Sequence, residues 1–311
     1  MRAPLTPTTT GKKTIQQDIS EGKTTSKLIK KIIMKKNILL LFMILTLPLS
    51  IRAQNYTMLW KQVSEAGQKD LPRTQIDLLT NISAKARKEK SYGNLLAAEL
   101  QAAGLWAQIS PDSIFNQYIR LKEQAKDAER QDETLAAVYN CVLSKIAPRY
   151  NASNEDGEKD TTDYVAKSLA NPALLAEHQY TEYQPLLIKG TDDKIFNNDL
   201  LHVIAMEVGK YDLLDKFYSA NGNREAACYA GTMAINSHPD MQTTGGRKKV
   251  AAKLDSLMQR YGDLPISAEI ALCQYNLLVK EQATAREKIG FIDKALAMGY
   301  MERNGFFAQR A

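Results

Sequence analysis

Three histidines, three cysteines and a few runs of adjacent charge are the residues of this chain that could do chemistry. To hold a metal, His178, His202 and His238 would need partners at ligand spacing, and the sequence gives them none. His202 falls beside the apolar stripe of DLLHVIAM, which predicts a histidine with a local hydrogen bond rather than a ligand. No H-E-x-x-H, C-x-x-C or G-x-S-x-G occurs. The glycine pair in TTGGRKK lacks the spacing of a phosphate loop and reads as a turn. The adjacent acids Asp192-Asp193 and Glu155-Asp156 lie in polar stretches, where solvated charge is the simpler reading than general acid/base work. Cys141, Cys228 and Cys273 each sit in an apolar helical pattern and read as small buried hydrophobes, although an exported chain could join two of them. Arg247-Lys248-Lys249 and the run from Lys85 to Lys90 carry no interleaved aromatics, so base stacking has no platform there. Tyr180, Tyr183, Tyr211, Tyr218 and Tyr229 read as packing between helices, with a tyrosine-lined peptide groove as the functional alternative. No catalytic residue, cofactor or metal site is expected.

The elements that would position these residues are helices. Ile114, Tyr118, Leu121, Ala125 and Ala128 recur at helical steps, and Leu135, Val138, Tyr139, Val142 and Ile146 repeat the pattern one helix later. Residues 91–109 carry two stripes, one of Leu96, Leu100, Ala103 and Ala107 and one of Leu95, Ala102, Trp106 and Ile109, which predicts a helix held between neighbours. Helix starts are expected near residues 55, 72, 91, 111 and 133, from Ser110-Pro111-Asp112 and Asp70-Leu71-Pro72 among others. Asn171-Pro172 and Asp263-Leu264-Pro265 repeat the punctuation, with Ser267 as a cap for the latter. Residues 151–163 offer only Ala152 to a core and read as a polar linker between a helical hairpin domain at 54–150 and a second helical segment at 164–311. In that segment Asn198 is expected to cap a helix that stops at Gly209, Asn221-Gly222-Asn223 to turn, and Thr284 with Glu287 to form a capping box. Strand-like alternation is nearly absent. The fold class is all-α, with short turns that force stacked antiparallel hairpins of a TPR-like α-solenoid, though no window meets the tetratricopeptide consensus.

A leader precedes these helices. In MKKNILLLFMILTLPLSIRAQN, Lys35 and Lys36 form a cationic start, Ile38 to Leu47 an apolar core, and Pro48 to Ala53 an exit, which together read as a signal peptide at 34–53 with cleavage between Ala53 and Gln54. The apolar run is short of the roughly 20 residues a membrane-spanning helix requires. Residues 1–33 read as an over-called, disordered start. Residues 1–53 hold a net charge of +8 against +6 for the whole chain, which leaves −2 on the part after the leader. A nucleic-acid partner inferred from the basic balance therefore loses its support. The expected location is the periplasm or cell envelope, with no membrane span after cleavage.

Two stretches carry a family resemblance. LWKQVSEAGQKDLPRTQIDLLTNISAKARKEKSYGNLLAAEL and IFNNDLLHVIAMEVGKYDLLDKFYSANGNREAACYA resemble the N-terminal helical region of exported bacterial alpha-2-macroglobulin-like proteins, with its tryptophan helix, Leu-Pro turn, Asp-Leu-Leu helix and Gly-Asn-Arg-x-Ala turn. The resemblance spans most of residues 55–235 and implies a truncated, non-enzymatic helical scaffold of a protease-inhibitor protein. Its implied partner is the remaining macroglobulin-type domains or a protease. The family's thioester pattern Cys-x-Glu-Gln is not matched at Cys141, Cys228 or Cys273, so no residue of the inhibitory mechanism carries over. The alternative is a free-standing TPR-like adaptor for an envelope protein or peptide.

Overall fold

The computed structural model describes residues 56–110, 113–154, 157–190 and 192–299. The expected leader at 34–53, its Ala53 and Gln54 junction and residues 1–33 lie outside them, as do Pro111, Asp112, Glu155 and Asp156. Residues up to Leu71 and residues from Pro72 onward form two separate units. In the first, the described residues 56–68 form helix α1, which buries Tyr56, Val63 and Ala66 on one face.

The second unit is built from helices α2 (Pro72–Glu89), α3 (Tyr92–Ile109), α4 (Ser113–Ala128), α5 (Glu133–Ser153), α6 (Tyr164–Ser168), α7 (Pro172–Glu177) and α8 (Leu200–Glu207). After these come α9 (Tyr211–Ala220), α10 (Arg224–Asn236), α11 (Thr244–Tyr261), α12 (Ala268–Lys280) and α13 (Ala285–Ala297). Single 3-10 turns cover Tyr180–Tyr183, Pro239–Gln242 and Pro265–Ser267. No strand occurs among the described residues, although an isolated antiparallel bridge joins Gln179 to Asp199. The expected all-α class is therefore observed.

Apolar spacing explains which face each helix buries. Tyr118, Leu121, Ala125 and Ala128 are buried on α4, the stripe read from the sequence. The two-sided α3 packs against α2, α4 and the Tyr180–Tyr183 turn. Its closest approach is at Gly93, where a Cβ would lie 2.2 Å from the Gln184 carbonyl oxygen. Successive helices pack on one another through α2–α3, α4–α5, α8–α9, α9–α10, α10–α11, α11–α12 and α12–α13, and α5 also meets α8. One cluster of buried side chains runs from Leu96 through Tyr183 and Phe196 to Leu277.

A recurrent device ends the helices. After Ala66, Ala86, Ala205, Tyr218 and Leu278, the carbonyl accepts from an amide five residues on, and the residue just before that amide has positive φ. This is the left-handed Schellman ending, in which the turn satisfies carbonyls the helix leaves open. Glycine fills the position at Gly209 and Gly222, but Asp70, Lys90 and Gln282 fill it elsewhere.

Several helix starts depart from the sequence reading. The cap of α8 is Asp199, whose carboxylate accepts from the His202 amide at 2.9 Å, not Asn198, which has φ 58°. Ser267 holds the N-cap position of α12 as expected, but its side chain makes no capping bond and instead donates to the Leu264 carbonyl. The glycine pair of TTGGRKK is no turn but the first turn of α11, capped by Thr243. Gly246 is required there because a Cβ would lie 2.5 Å from the Asp240 carbonyl oxygen. Asn171 and the Thr284–Glu287 capping box stand as expected.

The polar stretch 151–163 is tied down on both flanks. α5 runs into it as far as Ser153, and the Asn151 side chain both donates to the Asp160 carbonyl and accepts from the Asp160 amide. Asp160 in turn accepts from the hydroxyls of Tyr118 on α4 and Tyr164 on α6.

Candidate functional site

The densest polar site is built around α8. His202 lies in the first turn of the helix and is only 2% exposed. Its Nδ1 is 3.0 Å from Asp199 Oδ1 and its Nε2 is 3.1 Å from Asp193 Oδ1. Both ring nitrogens are thus engaged by carboxylate oxygens. The remaining oxygens are also occupied: Asp199 Oδ2 accepts from the Tyr218 hydroxyl at 2.6 Å and Asp193 Oδ2 from the Gly190 amide at 2.6 Å. The Phe196 ring stacks on the imidazole with centroids 5.0 Å apart and planes 7° apart. Asp199 also sits at the helix N-terminus, where the backbone favours an anion. This arrangement joins the 190–199 segment, α8 and α9. It leaves the histidine no free nitrogen with which to bind a metal or shuttle a proton.

The local bond of His202 agrees with the sequence reading, but the acids do not. Asp193 is 6% exposed rather than solvated, and its neighbour Asp192 accepts from the Tyr229 hydroxyl at 2.6 Å. The segment between them and α8 folds back over the helix, which a local run of polar letters does not disclose. Two further buried acids are held in the same manner. Glu99 on α3 bridges Arg87 and the Tyr139 hydroxyl, each at 2.6 Å. Asp160 receives the Lys122 ammonium at 2.7 Å as well as its two tyrosines. Burial alone would raise the Asp160 pKa, but Lys122, Thr162 and Tyr118 outweigh it and hold the carboxyl well below the ordinary range. Burial, with the neighbouring carboxylate behind it, pushes the phenols of Tyr139 and Tyr218 up.

The other residues singled out in the sequence are dispersed. His178 pairs with Glu182 at 2.8 Å, and His238 accepts from the Asp240 amide. Arg247 pairs with Glu281, and Lys85 with Glu89. Cys141, Cys228 and Cys273 are free and buried, with no disulfide among them. Burial pushes their thiols up to about 11, about 12 and about 11 respectively. Tyr180, Tyr183 and Tyr218 are buried in the core, so they pack the helices rather than line a groove.

An apolar cleft of about 280 Å³ opens between α5 and α8. Its walls are Val138, Val142 and Ile146 from α5, Val203 and Ile204 from α8, and Leu186 and Leu187 from the loop that follows Tyr183. Cys141 contributes a neutral thiol. Across the mouth Lys145 Nζ lies 3.1 Å from Glu207 Oε1 and also donates to the Glu207 carbonyl at the end of α8, where a cation suits the helix dipole. The cleft is therefore hydrocarbon inside and electrically balanced at its rim. In the sequence, Val138, Val142 and Ile146 read as part of a buried stripe. The stripe is correct, but α8 and the loop cover it incompletely. Among the described residues no helix is long and apolar enough to cross a membrane, and no group of three or more histidine, cysteine or acidic side chains could hold a metal ion.

Comparison of the chain with known families, with curated proteins and with solved structures yields no match.

Proposed function

We propose that this chain is a non-enzymatic helical scaffold that works outside the cytoplasm, its helix pairs stacked in the manner of a TPR-like solenoid. The observation that supports this most is the fate of the buried polar groups. His202, Asp193, Asp199, Glu99 and Asp160 each spend their bonding capacity on joining helices. The neighbour-to-neighbour packing of the helices gives the solenoid reading its support. The leader read at 34–53 supports export. The two family-like stretches support a place in an alpha-2-macroglobulin-like protein, with the remaining macroglobulin-type domains or a protease as partner.

Two measurements test the proposal. N-terminal sequencing of the exported protein should begin at Gln54, and a secreted chain that retains Lys35 would exclude the cleavage. Incubation of the purified chain with generic ester and peptide substrates should give no turnover above buffer; robust hydrolysis would exclude the scaffold role. A second reading, an adaptor for an envelope protein or peptide, is favoured by the apolar cleft between α5 and α8.

A further inference from the structure

We infer that the cleft between α5 and α8 docks an extended peptide segment of a partner protein, whose alternate side chains are uncharged and aliphatic. The inference rests on the adaptor reading and names the chemistry of its partner.

Four observations point to this occupant. The interior offers hydrocarbon and a neutral thiol, so a charged side chain entering it would lose its hydration without compensation. The charge at the rim is already matched between Lys145 and Glu207, so the occupant needs no net charge. Ile188, the residue that follows the Leu186 and Leu187 of the wall, is 84% exposed. Lastly, the main chain of Ile188 and Lys189 makes no hydrogen bond with the described residues, which leaves donors and acceptors in the segment directly after the wall residue Leu187.

The spacing of the wall distinguishes a strand from other peptide forms. Val138, Val142 and Ile146 stand four residues apart on α5, or about 6 Å per step and about 12 Å in all at the helical rise. Alternate side chains of an extended peptide stand about 6.6 Å apart, so two of them match the two gaps along this wall. A docked helix could match the same spacing, but its main chain is already satisfied internally. An extended chain can pair with the backbone at Ile188 and Lys189 while its side chains enter the cleft, the strand-addition mode of peptide recognition.

The test is selection from a library of random, end-blocked heptapeptides on the purified full chain, with Val142→Asp and Ile188→Asp as parallel baits. Ile188 is almost wholly exposed, so its variant keeps the fold even if Val142→Asp loses it, and far-ultraviolet circular dichroism checks both. The expected result is enrichment of sequences with large aliphatic residues at alternate positions. Individual winners should bind each folded variant at least tenfold more weakly. No enrichment over the variant baits overturns the proposal, as does a consensus with apolar residues four apart, or displacement of the winners by dodecanoate at lower concentration than by peptide. Mass spectrometry of the winners after incubation separates the two readings. Cleaved peptides would sink the non-enzymatic scaffold and leave the docking site standing, whereas the absence of any selected binder would remove the docking site and leave the scaffold untouched.

Discussion

At Asp199 one carboxylate caps α8, faces the His202 ring and receives the Tyr218 hydroxyl. Asp199→Ala should therefore lower stability by roughly 2–5 kcal/mol, because it removes the cap of α8 and leaves a buried imidazole nitrogen and a buried phenol without their partner; urea denaturation reads the loss. Lys145→Ala, which removes an exposed ion pair at the cleft rim, should cost less than about 1 kcal/mol in the same measurement. Asp160 gives a pH signature. Its carboxyl is held below the ordinary range when folded, so its contribution is complete above the unfolded value of about 4 and is lost as the pH falls below that. Asp160→Asn should flatten the acid limb of a stability-versus-pH curve measured by urea midpoint, and an unchanged limb would show that the Lys122 and tyrosine contacts do not favour the charged form. His202 was legible in sequence because its bond to Asp199 is three residues away. Asp193 was not, since its burial depends on the segment ahead of α8 folding back over the helix.

The helices themselves show which rules act locally. Gly209 announces the end of α8 by its type, whereas Lys90 and Gln282 adopt the same left-handed turn with nothing in their side chains to signal it. Lys90→Gly should raise stability by about 0.5–1 kcal/mol. Relief of the left-handed strain on a side-chain-bearing residue outweighs the added freedom of glycine in the unfolded chain, and a thermal melt reads the difference. Gly93→Ala should act in the opposite sense. The new Cβ would collide with the backbone at Tyr183 and Gln184, an overpacking that costs about 1–3 kcal/mol or more. Helix positions came directly from apolar period and capping residues. Asn198 misled because a residue able to cap competes with its neighbours, and only the local backbone decides which one faces the free amides; Ser267 holds its position but turns its hydroxyl back to the Leu264 carbonyl.

On the scale of the molecule, the cluster of buried side chains passes without interruption from α3 to α12. A fragment ending at Ser153 would leave α3 and α5 without Tyr183, whose hydroxyl bonds Thr134 and whose backbone abuts Gly93. It should show little helix by circular dichroism, while the chain from Pro72 onward should unfold in urea as one transition; an independently folded fragment would refute that. Composition made residues 151–163 look like a divider because the sequence shows Asp160 as one more acid and conceals the two phenols that reach it. Those phenols carry a further consequence. Tyr118 and Tyr164, like Tyr139 and Tyr218, each hand their proton toward an acid, and an added tyrosinate would set a second negative charge beside the first. In an alkaline titration the share of the ultraviolet tyrosinate band that these four residues supply should thus lag behind that of free tyrosine and rise as the fold opens, so that the protein reports its own collapse by colour, with no dye attached.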